Sequence, residues 1–345
     1  MIDRSKIDVI ANDLRSNENK LANKSAVQGC LVVKRVNKWI DDAKHRPIPN
    51  MLFSELWYEN ELAILFADTN IGKSILAMQI ADSLSRGEAI SNFELEAKPK
   101  KVLYLDFELS DKQLENRCSD NYKDHYRFHD NFLRGELNAE LELPANIKSI
   151  EDYLCETLEL YVTKNNVEVL IVDNLTYLNN DNEKAKYALH LMKQLKKLTK
   201  SFNISILVLS HTPKRDDSKP ITKNDLAGSK MLMNFCDSSF AIGASSQNHS
   251  YRYIKQIKQR NTEHVYHSDN IILCEIKKES NFLKFQFLNF DSESNHLKSF
   301  DSKSIEDRDA KMIELIEEGL SNVQIGKEIG IHEATVRQRK AKLGL

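Results

Sequence analysis

From residue 61 the apolar positions fall into short, nearly unbroken runs: "ELAILFA" at 61–67, "KVLYLDFE" at 101–108, "VEVLIVDN" at 167–174 and "SILVLSH" at 205–211. Each has the length of a strand, and none alternates regularly with polar residues. A strand with one wet face alternates, whereas a strand covered on both faces does not. These four therefore read as a parallel sheet with helices on either side. Between them, "SILAMQIADSLSRG" (closed by Gly87), "SIEDYLCETLELYVTKN" and "KAKYALHLMKQLKKLTKSF" carry apolar residues at helical spacing. After Asp237 the runs crowd together: "SSFAIGA", "YRYIKQIK", "IILCEIKK" and "FLKFQFLNF", with a hairpin expected at Glu279-Ser280-Asn281. Such short connections suit antiparallel strands and leave no room for crossover helices. The pattern predicts an α/β fold, a mostly parallel central sheet with an antiparallel C-terminal extension.

The two ends differ from this core. "KSAVQGCLVVKRVNKWIDDAKHR" places Val27, Leu31, Val32, Val36 and Trp39 at helical spacing before Pro47 and Pro49 break the run. Residues 1–50 thus read as a helical N-terminal arm and 51–290 as the main domain. "DSESNHLKSFDSKS" is rich in Ser, Asp and Lys, so 291–308 reads as a linker. Residues 309–345 form a compact helical unit: "KMIELIEEG", then "LSNVQIGKEIG" with Ser321 and Gln324 at capping-box spacing, then "HEATVRQRKAKLGL" after the Gly330 turn. Leu315, Ile316, Val323, Ile325, Ile329, Ile331, Val336 and Leu343 are its expected core.

Composition adds limits. With 41% hydrophobic and 29% charged residues and a net charge of -2, the chain has neither a disordered nor a membrane composition. Its apolar runs fall short of the roughly 20 residues a bilayer span needs. The N-terminal stretch is polar, and a cytoplasmic location is expected. Five scattered cysteines, Cys30, Cys118, Cys155, Cys236 and Cys274, form no C-x-x-C pair. His264 and His267 lack companion ligands at metal spacing and read as structural or surface histidines. Near-zero net charge argues against a general nucleic-acid coat but leaves room for local basic patches.

The chemistry concentrates at the strand ends. "ADTNIGKS" joins a buried strand to a helix, the context in which a loop of backbone N–H groups cradles phosphates. Ala67, Asp68, Thr69, Asn70, Ile71, Gly72, Lys73, Ser74 and Ile75 are the candidate nucleotide contacts. Lys73 would reach the β- and γ-phosphates, and the Ser74 hydroxyl would face Mg²⁺. Ala67 stands where G-x-x-x-x-G-K-[ST] has glycine, a tolerable change if φ is negative there. Asp173, ending the third strand, is a second Mg²⁺ ligand or a strand-capping aspartate. At the end of the second strand Glu108 is the candidate general base, with Asp106 its rival. Ser210-His211 could sense the γ-phosphate or merely cap the fourth strand. Ligands of open parallel sheets gather outside these carboxyl ends.

Together, "ADTNIGKS", the Glu of "LDFELS", "LIVDN", "LSHTPK" and "DLAGSKMLMNFCDSSFAI" resemble the RecA-like P-loop ATPases, and within them the RepA-like and DnaB-type hexameric helicase ATPases. The likeness spans about Leu52 to Phe290. It implies a RecA-like core, hydrolysis of ATP with Mg²⁺, and a homo-oligomeric, hexameric ring with sites between subunits. By the same resemblance, Lys258 and Arg260 of "IKQIKQRN" match a Lys-x-Arg pair that enters the neighbour's site and stabilises charge during phosphoryl transfer. A solvated strand edge, with Lys255 alternating, is the other reading of that pair. The polar loop after His211 corresponds to one that faces the central pore. Lys214, Arg215, Lys219 and Lys223 would meet single-stranded DNA there, or the loop is simply flexible.

The C-terminal unit resembles a helix-turn-helix. Thr335, Arg337, Gln338, Arg339 and Lys340 on its last helix would reach duplex phosphates or base edges. Its first helix is acidic, so the basic residues gather on one element, which favours DNA over a protein-docking unit. The sequence thus supports an ATP-driven motor on DNA, most like a replicative helicase of a plasmid or mobile element. The alternative is an ATP-switched DNA-binding regulator or loader; a degenerate nucleotide binder is disfavoured by Glu108 and Asp173.

Overall fold

The computed structural model describes residues 26–28, 31–138, 140, 143–144, 147, 149–174, 184–213, 215–226, 229–298, 302–331 and 333–344. The chain divides into two compact units, Met1–Pro49 and Asn50–Leu345.

In the first unit, β1 (Ala26–Gln28) and β2 (Leu31–Val33) form an antiparallel hairpin with Ala26 opposite Val33. Helix α1 (Val36–Lys44) follows. The single helix expected across this stretch is therefore corrected to a hairpin and a shorter helix. Paired β-branched residues, Val27 against Val32 and Val33 beside them, favour a pleated surface over a helix. The expected arm before Ala26 lies outside the described residues, as does Cys30.

The second unit opens with a small ribbon, β3 (Met51–Phe53) and β4 (Trp57–Tyr58). Strand β5 (Leu62–Ala67) is buried along its whole length and feeds helix α2 (Lys73–Arg86). Then come β6 (Val102–Asp106), helix α3 (Asp111–Arg117), a short ribbon of β7 (Ser119–Asp120) and β8 (Asp124–His125), and β9 (Phe132–Gly135). Helix α4 (Ile150–Asn165) leads to β10 (Val169–Asp173), and α5 (Lys184–Phe202) to β11 (Ser205–His211). Helix α6 (Ser229–Phe235) precedes β12 (Ser238–Ala244), β13 (Tyr251–Lys258), β14 (Ile271–Glu279) and β15 (Phe282–Asp291).

Among the described residues, nine strands form one sheet in the order β15-β14-β13-β12-β5-β11-β10-β6-β9. From β12 to β9 all pairings are parallel; β13, β14 and β15 add on antiparallel. The α/β fold and its antiparallel extension are as the periodicity predicts. The expected hairpin is present, with Ser280 at a φ of +56° between Glu279 and Phe282. Two apolar cores lie on opposite faces of the sheet, the reason its central strands read as unbroken apolar runs. Register decides where chemistry can meet: Ala67 pairs with His211, and Asp173 with Asp106, so these strand ends lie side by side.

The linker expected at 291–308 is corrected over its described residues, which hold a docked turn and the start of a helix at Ser302. A 3₁₀ turn at Glu293–His296 is docked, with both terminal residues buried. Glu293 pairs with Lys255 at 2.5 Å and accepts bonds from the Ile221 amide (2.7 Å) and the Ser268 hydroxyl (3.1 Å). Polar residues are buried here because each has a partner from a distant segment, which composition cannot reveal. Lys255 is correspondingly buried and does not lie on a solvated strand edge.

Three further helices follow: α7 (Ser302–Glu317), α8 (Asn322–Glu328) with the expected Ser321/Gln324 capping box, and α9 (Glu333–Leu343). The first starts earlier than "KMIELIEEG". Met312, Leu315, Ile325 and Val336 are the buried core, with Ile316, Leu320, Ile329 and Ile331 against it. Val323 and Leu343, expected inside, are exposed. No described helix is long and apolar enough to cross a membrane.

Candidate nucleotide site

The β5–α2 loop is shaped by one glycine. Gly72 has φ +110°, and a Cβ there would come within 2.8 Å of Ile276 Cδ1 and 3.1 Å of the Phe285 ring. Asn70 also takes a left-handed conformation, φ +61°. Ala67 does not; it is buried as the last residue of β5. Its methyl group therefore sits in ordinary strand backbone, and the departure from the glycine pattern carries no strain. Asp68 accepts a bond from the Thr69 amide at 2.7 Å, and Arg252 Nε donates to the Ile71 carbonyl at 2.9 Å. Ile71 and Ile75 pack against the core beneath the loop.

Lys73 begins α2 and is buried. Its Nζ donates to the Ala67 and Asp68 carbonyls, each at 3.0 Å, and lies 3.0 Å from His211 Nδ1. Burial lowers its pKa, against the pull of Asp173, Glu108 and Asp68. An ammonium only donates, so His211 Nδ1 accepts from Lys73. Glu108 Oε1 lies 3.5 Å from His211 Nε2, and Asn174 Nδ2 donates to Glu108 and lies 2.9 Å from the same Nε2. A polar chain thus runs from Lys73 through His211 to Glu108, with Asn174 bracing its far end. Asn174 was missed at the sequence level; its place directly after Asp173 at a strand end was the available signal. Beside His211, the Ser210 and Thr212 hydroxyls are buried without hydrogen-bond partners.

The two carboxylates of the second strand separate cleanly. Asp106 is buried and accepts from the amides of Glu108 (3.1 Å) and Leu109 (2.9 Å) and from Arg134 Nε (3.1 Å). Glu108 is the freer group. Contact with His211 lowers its pKa against the effect of burial, and Lys73 lowers it further. It is ionised at neutral pH.

Asp173 accepts a 2.6 Å bond from the Tyr104 hydroxyl. Burial raises its pKa, opposed by the Ser74 and Tyr104 hydroxyls. Its Oδ1 is buried and makes no hydrogen bond. An orphaned carboxylate oxygen next to a hydroxyl is a hard-oxygen pair that suits Mg²⁺. Among the described residues no group of three or more His, Cys, Asp or Glu could hold a metal by itself, so a cation here would draw its other ligands from phosphate and water.

The remaining predicted residues lie elsewhere. Lys258 is opposite Ser239, and Ser238 opposite Ala63, so Lys258 and Arg260 sit by the start of β5 while Ala67 ends it. Four residues of strand put about 13 Å between those ends. Lys258 Nζ donates to the Cys236 carbonyl at 2.6 Å, and Arg260 lies 3.4 Å from Asp237. Neither serves the phosphate loop of its own chain. Of the basic loop, Lys214 lies outside the described residues. Arg215 turns inward, its Nε buried without a partner, whereas Lys219 and Lys223 are exposed. On α9, Thr335, Arg337 and Gln338 are exposed; Arg339 pairs with Asp309 at 2.7 Å and Lys340 bonds Asn322 at 3.1 Å.

A family profile described as an AAA domain matches residues 32–217, a stretch holding the phosphate loop, Glu108, Asp173 and His211. The chain belongs to the AAA_25 family. It is a P-loop ATPase by that membership, and the site geometry lies within the matched segment. Among solved structures, the KaiC-like protein PH0186 from the hyperthermophilic archaeon Pyrococcus horikoshii OT3 is similar at 13% identity and a TM-score of 0.44. That match covers 66% of this chain and 90% of the other. No curated protein matches the sequence. Lys258, Arg260 and the three C-terminal helices of this AAA_25 protein lie beyond the matched residues.

Proposed function

We propose that this AAA_25 protein hydrolyses ATP with Mg²⁺ in a ring of identical subunits and uses the cycle to move on or unwind DNA. The observation that carries the hydrolytic reading is the Lys73–His211–Glu108 chain beside the orphaned Oδ1 of Asp173. Ser74 and Asp173 would hold Mg²⁺, which supplies charge neutralisation at the phosphates. Gly72 leaves the loop backbone free to approach them, and Lys73 exchanges its carbonyl contacts for phosphate oxygens. Glu108, kept ionised beside His211 and Lys73, is the general base that orients the attacking water. His211 links that carboxylate to Lys73, so a change at the phosphates is felt at Glu108 and at the loop after β11.

Lys258 and Arg260 support assembly. They stand at the end of the strands away from the loop, where a head-to-tail neighbour could receive them, and a repeated heterologous contact whose rotation closes forms a ring. Thr335, Arg337 and Gln338 are the exposed candidates for duplex contact in a helix-turn-helix reading of the C-terminal helices. The inward turn of Arg215 favours a second reading, an ATP-switched DNA-binding regulator, because it removes one cation from the loop assigned to single strands. Strand displacement measured beside ATPase rates with single-stranded, duplex and no DNA separates the two. Unwinding is expected of the motor, and stimulated hydrolysis without unwinding would favour the regulator.

A further inference from the structure

Arg134 lies on β9, opposite Tyr104 of β6. Its guanidinium spans three groups: Nε donates to Asp106 Oδ2 at 3.1 Å, Nη2 to the Leu109 carbonyl at 2.6 Å, and Nη1 to Asp111 Oδ1 at 2.9 Å. Asp106 in turn accepts from the Glu108 and Leu109 amides. The turn carrying Glu108 is therefore held from both sides, its amides by Asp106 and its Leu109 carbonyl by Arg134. Helix α3 is joined to the same guanidinium through Asp111, its first residue.

We propose that Arg134 is a positioning residue for Glu108. Through Asp106 it sets the turn that presents the Glu108 carboxylate to His211 and Asn174, and it does so without meeting the nucleotide. The inference rests on Glu108 as the group that orients the attacking water. The planar fork matters because a lysine, a single point donor, cannot bond the Asp106 carboxylate and the Leu109 carbonyl in fixed directions at once. Without the guanidinium, Asp106 is a buried carboxylate lacking its cation. Its orientation towards the two amides then loses the bond that fixes it from the other side. A displacement of about 1 Å at a catalytic group can lower turnover about 10²-fold.

The test is steady-state ATPase activity of the full-length chain carrying Arg134→Met, Arg134→Lys or Asp106→Asn, each alone and combined with Glu108→Gln, with thermal melts alongside. Arg134→Met should lower kcat about ten- to hundredfold with KM within about twofold, and Arg134→Lys should recover part of the loss. Added to Glu108→Gln, Arg134→Met should lower kcat no further, because the group it positions is already gone. An equal loss in both backgrounds would mean a general structural role and would overturn the proposal. If Arg134→Met does not fold, Asp106→Asn decides: wild-type kcat in that folded variant overturns it, and a loss that disappears in the Glu108→Gln background upholds it. Full turnover in Glu108→Gln alone would instead remove the assignment of Glu108 itself.

Discussion

At the scale of single residues, backbone conformation separates the two positions of the phosphate loop that look most alike on paper. Ala67 is strand and Gly72 is left-handed and crowded. Ala67→Gly, which restores the motif, is expected to lower stability by roughly 0.5–1 kcal/mol in a urea titration, since glycine weakens a buried strand. Gly72→Ala should lose nucleotide affinity in a fluorescent-ATP titration, because both φ and Ile276 oppose a Cβ; unchanged affinity would contradict the loop geometry. Glu61 offers a pH test. Buried at the start of β5, its carboxyl is raised from 4.5 to about 7 by desolvation, against bonds from Ser238 and Tyr58. Between those values the native state keeps a proton that the unfolded chain releases. Glu61 therefore contributes most below about pH 4.5, and its contribution is lost as pH rises to about 7. Glu61→Gln should flatten that decline and raise stability at pH 8 by up to about 3 kcal/mol. An unchanged slope of urea stability against pH would refute it.

At the scale of elements, what was legible in the sequence follows from the physics of burial. The four central strands announced themselves because both faces are covered; Asp173 and His211 could be placed because they end two of those strands, and Lys73 and Glu108 because they follow shortly after two others. Strand β9 could not be read: four half-buried residues give no unbroken apolar run. The docked turn at Glu293–His296 was hidden for a related reason. Its residues are polar and buried, and their partners Lys255, Ile221 and Ser268 lie far away in sequence. Arg134 and Asn174 escaped notice in the same way, since their roles depend on contacts across the sheet. The turn also ties the segment after β11 to β13 by way of Ile221 and Lys255. Glu293→Ala is expected to destabilise the unit by about 3–5 kcal/mol, because it leaves Lys255 buried without its partner. Replacing both residues with Met should recover most of that loss in a denaturation curve, and a double variant as unstable as the single would argue that packing, not charge, holds the turn.

At the scale of the whole molecule, the phosphate loop and the Lys258–Arg260 pair lie at opposite ends of the strands of one sheet, about 13 Å apart along β5. On the proposed trans role, each chain would present its loop to one neighbour and its Lys258–Arg260 pair to another, the arrangement of a head-to-tail assembly. In the isolated chain Arg260 lies 3.4 Å from Asp237, which also pairs with Lys196, and Lys258 donates to the Cys236 carbonyl. An incoming phosphate on a neighbour would compete for Arg260, whose link to Asp237 is long and largely exposed and so contributes little. This gives an outcome that cis chemistry cannot produce. Arg260→Ala and Lys73→Ala should each reduce turnover sharply on their own, by about 10³-fold where an arginine finger acts in trans. Mixed in equal amounts, the two variants should regain activity, because an Arg260→Ala subunit offers an intact loop to a Lys73→Ala neighbour that still has its arginine. The regained rate should rise with total protein concentration as mixed assemblies form. A mixture no more active than its components, at concentrations where sedimentation shows them co-assembled, would place Arg260 outside the neighbour's site.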